Sequence, residues 1–165
     1  MATKKGIIIT IGMLMAITSA SFLIWFLPEN NEIKFIVSDF DSHLDSVKNI
    51  HGAIRESVDI EFQNLLDEKI SAEGYIELAK ASSSQINSQI IELVKSKATE
   101  EWLESYINYI ESLRQYNSYI RETIVAASMI EKGIQSNEMK NVLQKLNEFK
   151  INSESLIIES DNTRP

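Results

Sequence analysis

One short stretch of the chain concentrates the side chains best suited to metal or acid–base chemistry. It contains Asp39, Asp41, His43 and Asp45 within seven residues. On a helix, Asp39 and His43 share one face while Asp41 and Asp45 share another, so the two pairs point in different directions. The spacing therefore predicts a solvated acidic face rather than one preformed metal or catalytic site.

Other catalytic patterns are also missing from the sequence. The chain has no cysteine, no serine in a glycine-bounded elbow and no glycine-rich phosphate loop. The Glu-x-x-His pairs that build di-iron sites in helical bundles are absent, because Phe40 and Lys48 stand three residues before the two histidines. We therefore expect a protein that is not an enzyme and that holds no metal or cofactor.

His51 is the histidine that the pattern places inside the protein. It occupies a heptad core position of a predicted helix. Two interpretations remain open. Either His51 is a pH-sensitive polar contact, or it is a hydrogen-bonded residue that fixes the register of the helix.

A long apolar segment near the amino terminus determines how the rest of the chain is interpreted. Residues 6–27 contain no charged side chain and follow Lys4 and Lys5. A helix of this length covers roughly 33 Å, enough to cross the hydrocarbon core of a bilayer. The lysines favour a cytoplasmic end at residues 1–5 and a single-pass anchor in the cell membrane, with the remainder outside. A cleaved signal peptide is the alternative interpretation.

Small residues inside the predicted span indicate a helix contact in the membrane. Gly12, Ala16 and Ala20 recur every four residues, which places them on one face of the helix. Helices that approach closely in lipid use such faces. The pattern predicts either self-association of the span or its docking against another membrane protein.

The rest of the chain carries the pattern of long helices. Its prolines, Pro28 and Pro165, lie at the edges, and apolar residues recur at alternating steps of three and four. After a juxtamembrane linker at 28–31, the pattern predicts a helical domain at 32–160 and a flexible tail at 161–165. The predicted helices are 32–70, 72–97, 99–133 and 137–160.

Short connections between these segments predict an all-α fold in which neighbouring helices are antiparallel. The expected architecture is a single transmembrane helix followed by an extracytoplasmic up-down-up-down four-helix bundle. A three-helix domain with the first helix partly detached is the structural alternative.

The charge of the predicted bundle restricts its partners. From Glu29 onward, 14 Lys and Arg residues oppose 24 Asp and Glu residues, a balance of −10. An acidic surface disfavours nucleic acid and is repelled by anionic lipid headgroups. The expected partners are therefore the lipid bilayer, through the span, and either a membrane protein or further copies of this chain.

The expected lengths of the helices leave one end of the domain uncovered. If the first turn is centred near Ser71, the second helix reaches back only to about Asp45, and the fourth helix reaches only to about Ile110. Apolar positions beyond those points would face water and mark an interaction site. The alternative is that a bent helix or shifted boundaries let the domain cover this stripe itself. The predicted partner-interface residues are Ile33, Val37, Phe40, Leu44, Trp102, Leu103 and Tyr106.

Tyrosines concentrate on the third predicted helix. Tyr116 falls opposite a stretch of small residues at 79–84 of the second helix. The large rings either fill the space that the small side chains leave or line a ligand cavity.

In layout, the chain resembles the four-helix sensor domains of chemoreceptors, which also begin with a short cytoplasmic end and a span. A receptor of that family returns through a second span, whereas the run Leu156-Ile157-Ile158 is too short to cross. The resemblance therefore implies a sensor that signals through a partner. LemA-type helical proteins share the layout, but residues 39–54 do not reproduce their aromatic-polar motif. The opening MATKKGIIITIG resembles the anchors of small single-span surface proteins of archaea.

Three functions follow as hypotheses. The first is an accessory or structural subunit that docks on a larger membrane complex through the span and the membrane-proximal helix. The second is a self-assembling anchored scaffold. The third is an extracytoplasmic ligand sensor that uses a cavity beside the small-residue stretch.

Overall fold

The computed structural model describes residues 37–134 and 137–165, which belong to one compact unit, Phe35–Pro165. In these ranges the chain forms four α-helices and no strand, which confirms the prediction of an all-α fold. The four helices have the order and lengths of a four-helix bundle. They are α1 (Phe40–Leu66), α2 (Ala72–Lys95), α3 (Glu100–Glu131) and α4 (Asn137–Asn162).

Part of the predicted architecture lies outside the described residues. This holds for the span at 6–27 with its contact residues Gly12, Ala16 and Ala20, and for Ile33. Among the four described helices, none combines the length and the hydropathy that a crossing of the bilayer requires.

Local sequence signals account for the starts of the helices. The side chain of Asp39 accepts a hydrogen bond from the backbone N–H of Ser42, at 3.0 Å, before α1. Ser71 accepts one from the backbone N–H of Gly74, at 3.1 Å, before α2. At α3, two acidic residues occupy the first turn, where the helix dipole favours negative charge.

Two helices end in the same hydrogen-bonded turn. At the end of α3, the N–H of Ile134 donates to the carbonyl of Met129, and Gly133 has a positive φ of 64°. Gly133 therefore occupies the C′ position, at the predicted end of this helix. At the end of α1, the N–H of Lys69 donates to Asn64, and Glu68 adopts φ 59° at the equivalent position. A non-glycine residue there is strained.

The early end of α1 changes how the helices face each other. Because the turn at Glu68 stops α1 at Leu66, four residues before the predicted end at 70, α2 folds back over more of α1. His43 lies 3.2 Å from Glu92, so α2 reaches beyond Asp45, where the predicted register had stopped it. The register expected from a turn centred near Ser71 is corrected by this contact.

Neighbouring helices run antiparallel, and their side-chain contacts fix the register. Ser105 pairs with Ser160, and Ser112 pairs with Ser153, so α3 and α4 run in opposite directions. The first pair also corrects the predicted register of α4, which had ended level with Ile110. In the same way Phe62 packs on Tyr75 between α1 and α2.

Helix α3 is the central element, because it packs against all three other helices. Its approach to α4 depends on small residues. Each serine of the two pairs donates to the partner's backbone carbonyl, at 2.8 Å for Ser105 with Ser160 and 3.0 Å for Ser112 with Ser153. All four side chains are buried, and these hydrogen bonds satisfy them. Short side chains at seven-residue spacing therefore bring the two backbones together at this end of the bundle.

Candidate functional site

The side chains of the predicted acidic face have separate partners in the structure. No three His, Asp or Glu side chains of residues 37–134 and 137–165 are grouped so that they could hold a metal ion. Asp39 caps α1, and the backbone N–H of Ser42 lowers the pKa of its carboxyl. His43 turns inward instead, with Nδ1 2.9 Å from Tyr106 Oη and Nε2 3.2 Å from Glu92.

The other two aspartates connect Arg164 to α1. Arg164 donates to Asp41 at 2.8 Å and to Asp45 at 2.7 Å, and its Nε lies 3.2 Å from Asp161. The sequence predicts that residues 161–165 are flexible. In the structure, Arg164 of this segment binds two aspartates that lie one turn apart on α1. Two carboxylates of the predicted acidic face therefore bind this arginine.

The residues predicted to form a partner interface are distributed over three environments. Leu44 and Tyr106 are fully buried in the core, so neither offers a surface to a partner. Phe40 and Trp102 are half-buried and cover each other, with ring centroids 6.4 Å apart. Val37 is half-buried, whereas Leu103 remains 47% exposed. The contact between α1 and α3 therefore covers most of the stripe that had been expected to face water.

Leu103 belongs to a larger exposed surface between α2 and α3. Ile91 and Val94 on α2 are 53% and 57% exposed, and Leu103 and Ile107 on α3 are 47% and 54% exposed. We call these four residues the corner patch, because they flank the short connection from α2 to α3.

The register of α2 and α3 brings the two halves of the corner patch together. Asn117 of α3 bonds to Ser83 and Asn87 of α2, which marks the edge along which the helices meet. Ile91 lies four residues and Val94 seven residues after Asn87, so both continue that edge toward the connection. On α3, Leu103 lies fourteen residues before Asn117 and continues the facing edge. Ile107 follows Leu103 by one helical turn, so the four exposed side chains lie along the neighbouring edges of α2 and α3.

Sequence reasoning missed three of these four residues. The heptad stripe selects positions that face the core, and Ile91, Val94 and Ile107 lie outside it. Large apolar residues outside the stripe, close to a predicted helix connection, were the signal available in the sequence.

A wide seam separates α1 from α4. Within the described residues, no Cα atom of α1 lies within 8 Å of one in α4. Long side chains bridge the seam instead: Arg55 donates to Glu154 at 2.7 Å, Lys150 donates to Asp59 at 2.8 Å, and Lys48 pairs with Asp161.

Tyrosine rings of α3 lie beneath the cations that bridge this seam. Lys48 lies over the ring of Tyr109, at 5.9 Å from its centroid. Arg55 lies over Tyr116 at 6.0 Å, and Lys150 lies over Tyr119 at 5.7 Å. These distances allow cation–π attraction. Each cation thus bridges a carboxylate at the surface and an aromatic ring in the core.

His51 lies beneath the seam and is the polar centre of the core. Its side chain is 1% exposed, and Nδ1 lies 2.9 Å from Tyr109 Oη. Its ring packs edge-on against Tyr116, with centroids 4.9 Å apart. Burial, assisted by the nearby charge of Arg55, lowers the pKa of His51 from 6.5 to about 3. The imidazole is therefore neutral in the folded protein at physiological pH.

Tyr116 shows how the aromatic side chains use the space on α3. It is buried against His51 and stacks on Tyr119, with centroids 5.4 Å apart. Burial raises the pKa of Tyr116 well above its usual value, so the phenol stays protonated. The ring of Tyr116 therefore packs against α1. Ala79, in the small-residue stretch of α2, is fully buried.

The structure therefore has two regions of interest, one exposed and one buried, with different chemistry. The corner patch offers exposed aliphatic side chains, and the region under the seam offers buried, neutral hydrogen-bonding groups. Comparison of the chain with protein-family models, curated proteins and solved structures finds no match to any of them.

Proposed function

We propose that this protein is a non-enzymatic, membrane-anchored helical subunit that docks on a membrane-protein partner through its corner patch. The observation that carries this proposal is the group of four large aliphatic side chains, each about half exposed, at one end of the bundle. Exposed apolar surfaces of this kind are unfavourable in water, and they often mark interaction sites.

The path of the chain supports a partner in the same membrane. Phe40, the first residue of α1, packs on Trp102, which directly precedes Leu103 of the corner patch. The start of α1 and the patch are therefore at the same end of the bundle. Twelve residues, 28–39, separate this point from the predicted span. A tether this short raises the effective concentration of the patch near a membrane-embedded partner.

The charge of the domain favours a protein over lipid as the occupant. The balance of −10 from Glu29 onward opposes binding to anionic headgroups. An apolar surface of a partner protein replaces water at the patch without that repulsion. The predicted contact face of the span, Gly12, Ala16 and Ala20, supplies a second contact with the same partner.

Internal use of the polar side chains supports a non-enzymatic role. His43 is engaged by Tyr106 and Glu92, and Asp41 and Asp45 are engaged by Arg164. These groups stabilise the end of the bundle that carries the patch.

The test uses the full-length protein, purified from its native membrane in mild detergent. A double variant, Val94→Gln with Leu103→Gln, makes the patch polar without changing the net charge. Ile60→Gln is the matched control, because Ile60 is 51% exposed on α1, away from the patch. We expect a stoichiometric partner with wild type and with the control, and at least a tenfold lower recovery with the double variant. The thermal midpoints should stay alike.

A photoreactive residue in place of Ile107 identifies the occupant directly. Crosslinking to the co-purified partner supports the accessory-subunit proposal. Crosslinking to a second copy of this chain would instead establish the self-assembling scaffold. Full recovery of the partner by the double variant would reject the corner patch as the docking surface.

A further inference from the structure

Three buried side chains of the core carry polar atoms with no partner among the described residues. These atoms are Nε2 of His51, both side-chain amide atoms of Gln89 and the hydroxyl of Tyr116. Each side chain is at least nine-tenths buried. Native proteins satisfy nearly all such groups, either with protein atoms or with a bound molecule. Several unsatisfied atoms in one core therefore need an explanation.

The three side chains come from three different helices. His51 extends from α1 against Tyr116 of α3. Gln89 lies on α2, one turn before Glu92, whose carboxylate bonds His43 on α1. The antiparallel register thus places Gln89 between the levels of His43 and His51. We call His51, Gln89 and Tyr116 the His51 site.

The chemistry of the His51 site selects an uncharged guest. An imidazole, a carboxamide and a phenol together donate and accept hydrogen bonds but carry no net charge here. The nearest cations, Lys48 and Arg55, lie over the tyrosine rings and are paired with surface carboxylates. A charged guest would lose its hydration without gaining a counter-ion.

Gly52 is an exposed residue of α1 next to His51. A Cβ atom at Gly52 would meet nothing within 4 Å, and Gly52 follows His51 directly. It stands between the Lys48–Asp161 and Arg55–Glu154 pairs, where α1 and α4 are held apart by long side chains. The approach to His51 from this side therefore passes between long side chains rather than between two closely packed helices.

We infer that the His51 site holds a small uncharged molecule that both donates and accepts hydrogen bonds. Water is its smallest occupant, and an organic carboxamide or alcohol of a few heavy atoms has the same chemistry. The inference is independent of docking at the corner patch, because the two sites share no residue.

The first experiment compares two conservative variants of the full-length protein by thermal unfolding. Tyr116→Phe removes the hydroxyl assigned to the guest. Tyr75→Phe is the matched control, because Tyr75 is equally buried and its hydroxyl donates to Thr123 at 2.7 Å. If a guest is bound, both variants lose a hydrogen bond, and the midpoint falls in both. If the site is empty, Tyr116→Phe removes an unsatisfied group and its midpoint rises, which overturns the inference.

The second experiment distinguishes the two kinds of guest. Acetamide is titrated from low millimolar concentration against wild type and against Gln89→Leu. A saturable rise of the midpoint in wild type, absent in Gln89→Leu, assigns the site to an organic guest. No response to acetamide, together with a lowered midpoint for Tyr116→Phe, assigns it to water.

Discussion

Mild acid should destabilise the folded protein through His51, because its imidazole must stay neutral in the core. Burial lowers its pKa from 6.5 to about 3 in the folded state. Above pH 6.5 the residue is neutral whether the chain is folded or unfolded, so its pH-dependent contribution to stability is complete. Below pH 6.5 the unfolded chain binds a proton that the folded protein rejects, and stability falls until about pH 3.

The size of this effect follows from the pH interval. Each pH unit below 6.5 costs about 1.4 kcal/mol, so His51 removes about 2 kcal/mol between pH 7 and pH 5. In that window the groups facing His51 do not add to the effect. Burial raises the pKa values of Tyr109 and Tyr116 further from the window. Ordinary carboxyl groups titrate mainly below this range, near about pH 4.

Urea unfolding of the full-length protein, followed by far-ultraviolet circular dichroism at both pH values, measures the effect. Wild type should lose about 2 kcal/mol more than His51→Gln between pH 7 and pH 5. His43→Gln is the matched control, since it removes the other histidine and leaves His51 in place. Equal losses in wild type and in His51→Gln would refute the assignment of the acid sensitivity to His51.

Three further variants test the fold, each by urea unfolding at pH 7. Glu68→Gly should stabilise the protein by about 0.5–1 kcal/mol, because Glu68 holds φ 59° at a position suited to glycine; no gain would contradict the strain. Ser153→Leu should cost about 2–3 kcal/mol by forcing α4 from α3, whereas Ser155→Leu, at an exposed position, should change stability by less than about 0.5 kcal/mol. Similar values for the two serine variants would argue against close serine packing. Gly52→Ala should add up to about 1 kcal/mol of helix stability, since its Cβ meets nothing within 4 Å; a loss would contradict the open space at this position.

Patterns of neighbouring residues were sufficient to predict the helices. Apolar steps of three and four mark their buried faces, and Gly133 marks the end of α3, because these signals act within one or two turns. The same pattern places His51 in the core, where the structure buries it. Its partner Tyr109 lies 58 residues away, and no local signal identifies such a contact.

Register was the property that local patterns could not supply. The turn at Glu68 lacks the glycine that usually marks such a position, so the end of α1 was expected at 70 rather than at Leu66. A shift of a few residues in one turn moves every contact along the hairpin. Phe40 and Trp102 therefore cover each other, and the exposed apolar surface lies at the corner patch instead.

By itself, the sequence determined that the described part of this protein is helical and which faces of its helices avoid water, because helix periodicity and capping depend on nearby residues. It also carries the apolar segment at 6–27, on which the proposed anchor rests. Only the tertiary structure decided that serines join α3 to α4, that long ion pairs span the seam, and that polar side chains of three helices are buried in one core. These contacts depend on the distance and register between helices, which are fixed when the whole bundle packs.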